Sequence, residues 1–168
     1  MSLLTVTSEW TDFAIVAGGA TAALLGLLFV AVSIRVEVIA RSDELRQRSA
    51  QTLSLLLTGL LAALLLTIPE QARWVLGVEF LALAVATAVT VIALDPLTKH
   101  ERERERTTIL RVLDLTTPNI TTCVLLAAVG VTLLLGETGG LYLLVPALVA
   151  VLAGGVWNAW LILVTLSE

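Results

Sequence analysis

The stretch from Trp74 to Asp95 reads WVLGVEFLALAVATAVTVIALD, and it carries one ionisable side chain, Glu79, before the closing aspartate. About 20 apolar residues in an α-helix are enough to cross the ~30 Å hydrocarbon layer of a bilayer. A nearly uncharged run of this length predicts a transmembrane helix. The carboxyl group inside it raises the main functional question of the sequence.

The rest of the chain has the same apolar character. Hydrophobic residues make up 58% of the 168 residues, charged residues make up 14%, and the mean hydropathy is +0.98. A soluble domain is nearer half apolar and a quarter charged, and one of this length could not bury so much apolar surface. Five runs reach or approach spanning length, at residues 13–34, 52–68, 75–94, 120–135 and 141–166. The sequence therefore predicts one all-α membrane domain over residues 1–168, a bundle of five transmembrane helices.

Positive charge indicates how the chain is threaded. Of the ten Lys and Arg residues, four lie in residues 35–51, five lie in residues 95–118, and Arg73 is on the other side. Because cytoplasmic loops carry an excess of Lys and Arg, these two segments are predicted to be cytoplasmic loops. The N-terminus is then outside and the C-terminus is cytoplasmic. Acids alternate with bases in KHERERER (residues 99–106), so a nucleic-acid partner is not expected.

Local signals indicate where the helices begin and end. Ser42, followed by Asp43 and Glu44, is typical of an N-cap, and it predicts that the second long helix starts well before its apolar run. Thr117 and Pro118 are a similar start signal for the fourth. GETGG (residues 136–140) predicts a short hairpin between the last two spans.

The sequence contains no recognisable catalytic constellation. It has one cysteine and one histidine, too few for a zinc site. It also lacks a nucleophile elbow, a metalloprotease helix, a phosphate-binding loop and an acidic pair within a span. We therefore expect a protein that is not an enzyme and that needs no metal or cofactor.

Small residues recur on one face of several spans. Gly18, Ala22 and Gly26 are spaced by four in the first span, and Ala82 and Ala86 are spaced likewise in the third. Small side chains let helix backbones approach closely in lipid, so these faces are predicted to pack against other helices, either of the same chain or of a second copy. The last span has the pair Gly154 and Gly155 and, four residues after Gly154, Asn158. An interhelical hydrogen bond is the first interpretation of Asn158, and a ligand or ion contact is the alternative.

Glu79 lies five residues after Trp74, and therefore about 7–8 Å below the ring expected at the membrane surface. A carboxyl group at that depth is costly, and it needs a partner, a route to water or a proton. Two interpretations follow. In the first, Glu79 is a polar clamp that hydrogen-bonds to a neighbouring helix or subunit. In the second, Glu79 side chains form a ring that binds cations or protons near the outer mouth of an oligomer.

Three stretches resemble sequences of a known kind: DFAIVAGGATAALLGLLFVAVSI (residues 12–34), PEQ (residues 69–71) and LGVEFLAL (residues 76–83). They resemble uncharacterised small multi-span membrane proteins of actinobacterial type, some of which are labelled as modulators of a membrane protease. The resemblance covers the first three spans. It implies a multi-pass protein of the bacterial cytoplasmic (inner) membrane, and it implies no activity or site.

Two functions are compatible with these patterns. The first is a non-enzymatic membrane subunit that assembles with itself, or with a larger membrane complex, through its small-residue faces. The second is a homo-oligomeric channel or small carrier for cations or protons that uses Glu79, with Asn158 as a further polar contact. Few polar side chains lie inside the spans, which favours the subunit.

Overall fold

The computed structural model describes residues 3–94 and 116–165, which form six α-helices and one 3₁₀ helix. The α-helices are α1 (Leu3–Ile34), α2 (Val36–Arg41), α3 (Asp43–Thr67), α4 (Arg73–Leu94), α5 (Thr116–Leu135) and α6 (Leu144–Thr165). The 3₁₀ helix, Thr138–Leu143, joins α5 to α6. Every α-helix except α2 is long and apolar enough to cross a membrane. The chain is an all-α, multi-pass membrane protein, as its sequence predicts.

The observed helices extend the predicted spans. Ser42 is the N-cap of α3, and its side-chain oxygen accepts a hydrogen bond from the Leu45 amide at 3.4 Å. The segment 35–51, expected to connect two spans, is thus mostly helix, since α2 and the first turns of α3 occupy it. Helix α5 starts at Thr116, close to its predicted start signal at Pro118. The expected loop 95–118 lies outside the described residues up to residue 115.

Helices α3, α4, α5 and α6 form a closed ring of neighbours. Each of them packs against the next, α6 returns to α3, and the most extensive contact is between α4 and α5. Helix α1 packs mainly on α3 and also touches α6, so it lies outside this four-helix ring. This position leaves much of α1 uncovered: 22% of its most apolar segment is buried, against 50% for α3.

Two tight turns mark one end of the bundle, which we call the turn end. Helix α5 finishes in a Schellman arrangement, in which the Glu137 amide donates to the Thr132 carbonyl and the Gly136 amide donates to the Leu133 carbonyl. Gly136 has φ +100°, which a residue without Cβ adopts at no cost. The turn between α3 and α4 contains Glu70 at φ +54°. The opposite end, where α3 begins and α4 and α6 finish, is called the loop end.

Apolar packing is concentrated in the half of the bundle next to the turn end, the turn half. A cluster of thirteen buried apolar residues fills it, with the completely buried Phe80 of α4 as its largest member. Trp10 of α1 packs edge-on against Tyr142, with ring centroids 5.2 Å apart. In the half next to the loop end, the loop half, the apolar cluster among the described residues has four buried members: Leu28, Leu55, Leu56 and Val151.

Candidate functional site

Glu79, the residue that the sequence singled out, is tied to the turn that precedes its own helix. The Gln71 side-chain amide donates through Nε2 to Glu79 Oε2. The sequence predicted a partner from another helix or subunit, and that expectation is wrong for this contact, because Gln71 belongs to the α3–α4 turn. Glu70 has a left-handed backbone conformation, which turns the chain just before Gln71. The Gln71 side chain then lies alongside the start of α4 and contacts Glu79.

The residue next to this turn binds the other turn of the same end. Arg73 Nη1 donates to the Gly136 carbonyl at 2.7 Å. Gly136 follows the last residue of α5, where carbonyl groups have no partner within the helix and the helix dipole is negative. A guanidinium group there satisfies a carbonyl and opposes the dipole. We use the name turn clamp for Gln71, Glu79, Arg73 and Gly136, which together fasten both turns to the bundle.

The turn clamp has the properties of a structural device. Glu79 is partly exposed and accepts a hydrogen bond from Gln71, and Arg73 donates to the Gly136 carbonyl. Gln71 Oε1 is buried and has no hydrogen-bond partner among the described residues. Within the part of the chain that the structure describes, no group of three or more His, Cys, Asp or Glu side chains could hold a metal ion. These contacts tie Glu79 to the turn before α4, whereas the first interpretation expected a clamp to a neighbouring helix or subunit. Both interpretations of Glu79 stay predictions.

The predicted small-residue faces divide into covered and uncovered parts. A Cβ atom at Gly18 would lie 3.2 Å from Ala63 Cβ, so Gly18 packs inside the chain against α3. Ala22 and Gly26 are exposed, and a Cβ atom at Gly26 would meet nothing within 4 Å. Gly19, seven residues before Gly26 and therefore on the same side of α1, is equally open. On α4, Ala82 and Ala86 are exposed as well.

The glycine pair of α6 is covered by the chain's own helices. A Cβ atom at Gly154 would lie 2.8 Å from Pro118 Cβ and 3.3 Å from Leu55 Cδ2, so three helices meet there. A Cβ atom at Gly155 would lie 2.6 Å from Leu56 Cδ2. Of the two uses predicted for small-residue faces, Gly154 and Gly155 serve close packing within the chain.

The crossing of α4 and α5 uses two glycines that sequence reasoning missed. A Cβ atom at Gly130 of α5 would lie 2.8 Å from the Gly77 carbonyl oxygen of α4, and one at Gly77 would lie 3.1 Å from the Gly130 oxygen. Each is the single glycine of its helix, so neither belongs to a repeat of glycines at a spacing of four. A lone glycine inside a predicted span is their sequence signal.

Buried polar side chains gather in the loop half, where the sequence had indicated only Asn158. Asn158 is 2% exposed, and its Nδ2 has no hydrogen-bond partner among the described residues, so the predicted interhelical hydrogen bond stays a prediction. Towards the middle of the bundle, the Thr58 and Thr87 hydroxyl groups are 3.1 Å apart and link α3 to α4. Glu79 and Asn158, expected as members of one polar site, instead belong to opposite halves.

No protein-family model, curated protein or solved structure matches this chain.

Proposed function

We propose that this protein is a non-enzymatic membrane subunit that assembles with a second copy of itself through the uncovered small-residue face of α1. The observation that carries the proposal is the open position of Gly26, beside which a Cβ atom would meet nothing within 4 Å. Gly19, Ala22 and Ala23 are exposed on the same side of α1. Helices associate in lipid where small residues allow close approach, and the open face of α1 offers such residues to a second helix.

The position of α1 outside the four-helix ring supports this assignment. Within the ring α3–α6, glycine positions are covered by the other helices of the ring, at Gly154 and Gly155 and between Gly77 and Gly130. Helix α1 keeps open glycines although it is held by α3 along its other side. An oligomer formed through α1 would therefore leave the ring unchanged. In a bacterial inner membrane, the same face would also suit a helix of a larger complex.

A pair of matched substitutions tests the assembly. Gly26→Leu fills the open face, and Ala20→Leu adds a leucine to an exposed position of α1 about 120° away. We expect the wild-type protein and Ala20→Leu to form a dimer or higher oligomer in mild detergent, and Gly26→Leu to be a monomer, because its added side chain separates the helices. Light scattering coupled to size-exclusion chromatography gives the protein mass. Equal masses for all three proteins would contradict the assignment.

A cation or proton channel built from Glu79 is the second candidate. The partial exposure of Glu79 favours it, since a side chain open to the surface can face its copies in an oligomer. Against it stands the contact with Gln71, which already uses one carboxylate oxygen. Liposomes containing the wild-type protein would then pass cations or protons, and liposomes with Glu79→Gln would not. Flux no greater than in empty liposomes, at acidic and neutral pH, would exclude the channel.

A further inference from the structure

Four carboxamide side chains are buried in the loop half of the four-helix ring. They are Gln47 (5% exposed), Gln51 (7%), Asn119 (1%) and Asn158 (2%). They come from three helices, α3, α5 and α6, and we call them the amide cluster. Burying an amide is unfavourable unless its donors and acceptors find partners.

The packing of α3 on α6 brings the cluster together. Gly59 lies against Val151, and Leu55 lies against Gly154, so residue numbers fall along α3 as they rise along α6. The two helices are therefore antiparallel. Gln51 is one turn from Leu55 towards the loop end, and Asn158 is one turn from Gly154 in the same direction, so they reach the same level.

The other two members lie about one turn to either side of that level. Pro118 of α5 contacts the position of Gly154, so the adjacent Asn119 lies near the level of Leu55, about one turn closer to the turn end. Gln47 lies one further turn along α3 from Gln51 towards the loop end, on the same face of the helix. The four amides thus extend over about 13 Å of the loop half between α3, α5 and α6, with Gln51 and Asn158 at the same level.

Two nitrogen atoms of the cluster identify what it would bind. Gln47 Nε2 and Asn158 Nδ2 are buried and make no hydrogen bond with any described residue. Each amide nitrogen carries two hydrogens, so both side chains present donors to an oxygen acceptor. The four side chains carry no charge, and an anion buried among them would lack the opposite charge that its desolvation requires.

We infer that the amide cluster is a binding site for an uncharged oxygen acceptor, namely ordered water or the carbonyl or hydroxyl group of a small neutral solute. Water molecules suit the cluster because a water can accept a hydrogen bond from either nitrogen while donating to other polar atoms. The site is independent of the face of α1, and its test does not depend on the oligomeric state.

Two leucines of α3 form a matched pair for the test. Leu55 and Leu66 are 0% and 1% exposed, and they are 11 residues, or about 16 Å, apart along the same helix. Leu55 lies one turn from Gln51, whereas Leu66 belongs to the apolar cluster of the turn half. Hydroxyl radicals generated by X-ray radiolysis oxidise buried side chains where bound water is adjacent.

We expect Leu55 to be oxidised about tenfold faster than Leu66 in the intact protein, because only Leu55 has polar groups that hold water beside it. Mass spectrometry of peptides gives both rates. In Gln47→Leu with Asn158→Leu, the rate at Leu55 should fall to that at Leu66. The wild-type comparison stands even if this variant does not fold.

Native mass spectrometry of the wild-type protein distinguishes the two sources of the oxygen. Rapid oxidation of Leu55 without added mass assigns the site to water. A discrete added mass that the double variant lacks assigns it to a solute. Equal, slow oxidation of Leu55 and Leu66 together with no added mass would overturn the inference.

Discussion

The turn half and the loop half of the bundle are built from the same helices but from different side chains. In the turn half, thirteen buried apolar residues surround Phe80, and the polar groups lie at the end, in the turn clamp. In the loop half, four apolar residues of the described part of the chain make the corresponding cluster, and four amides are buried in the same half.

The difference indicates which half contributes more to the stability of the fold and which half is available for binding. Close apolar packing gives each side chain many dispersion contacts, and these are the main source of helix association within lipid. The turn half has more of them, and both of its turns are fastened by side-chain hydrogen bonds. The loop half has fewer apolar contacts and more buried hydrogen-bonding groups. Such groups stabilise the fold only when they find hydrogen-bond partners.

The largest effect should come from emptying the core of the turn half. Phe80→Ala removes a completely buried ring and should reduce the free energy of unfolding by about 3–5 kcal/mol. Leu55→Ala, the control in the loop half, should cost about 2 kcal/mol, because it removes a smaller side chain from a smaller apolar cluster. Unfolding in mixed micelles of mild detergent and dodecyl sulfate gives both values. An equal or larger loss for Leu55→Ala would break the comparison.

The turn clamp should produce an intermediate effect. Glu79→Leu leaves Gln71 Nε2 without its acceptor in a partly buried site and should cost about 1–2 kcal/mol, within the range for a hydrogen-bond donor left without a partner. Glu79→Gln keeps an acceptor oxygen and should cost less than about 1 kcal/mol. The same unfolding assay measures both.

A second readout separates the clamp from a general loss of packing. Because Gln71 holds the α3–α4 turn, Glu79→Leu should speed proteolytic cleavage near Pro69, and Glu79→Gln should not. Identical cleavage of the wild-type protein and both variants would show that Glu79 does not hold this turn.

The sequence predicts the elements that depend on neighbouring residues. The five long helices follow from the length of apolar runs, and the start of α3 follows from Ser42, whose capping hydrogen bond is local. The partner of Glu79 was missed because it depends on the left-handed conformation of Glu70, which the sequence PEQ does not specify. A positive φ is unusual for a residue other than glycine, so it is rarely expected from sequence.

Contacts between distant residues were beyond sequence reasoning for a different reason. Gly77 and Gly130 meet only because α4 and α5 cross at those two positions. The amide cluster exists only in the antiparallel register that places Asn158 beside Gln51. Gly77, Gly130 and Asn158 are isolated small or polar residues inside apolar runs, whereas Gln47, Gln51 and Asn119 lie outside the predicted spans 52–68 and 120–135. The face of α1 was predicted in part, with Gly18 turning inward to Ala63 and Gly26 staying open.

The smallest effect should come from the hydroxyl pair between the two halves. Thr58 and Thr87 are both buried, and their Oγ1 atoms, 3.1 Å apart, make the side-chain hydrogen bond between α3 and α4. Each hydroxyl group has one hydrogen, so the one that donates to the other gives up the carbonyl of its own helix, which is Ser54 at 2.9 Å for Thr58 or Leu83 at 2.8 Å for Thr87. Because each hydroxyl group has a carbonyl partner on its own helix, losing the other hydroxyl group leaves few unsatisfied atoms.

Thr58→Val and Thr87→Val keep the shape of the side chain, and combining them in a double-mutant cycle isolates the link between the helices. We expect a coupling free energy of about 0.6 kcal/mol, typical of interhelical hydrogen bonds in membrane proteins. A coupling near zero would mean that apolar packing alone joins α3 to α4 at this position. The half stabilised by apolar packing would then extend further towards the amide cluster.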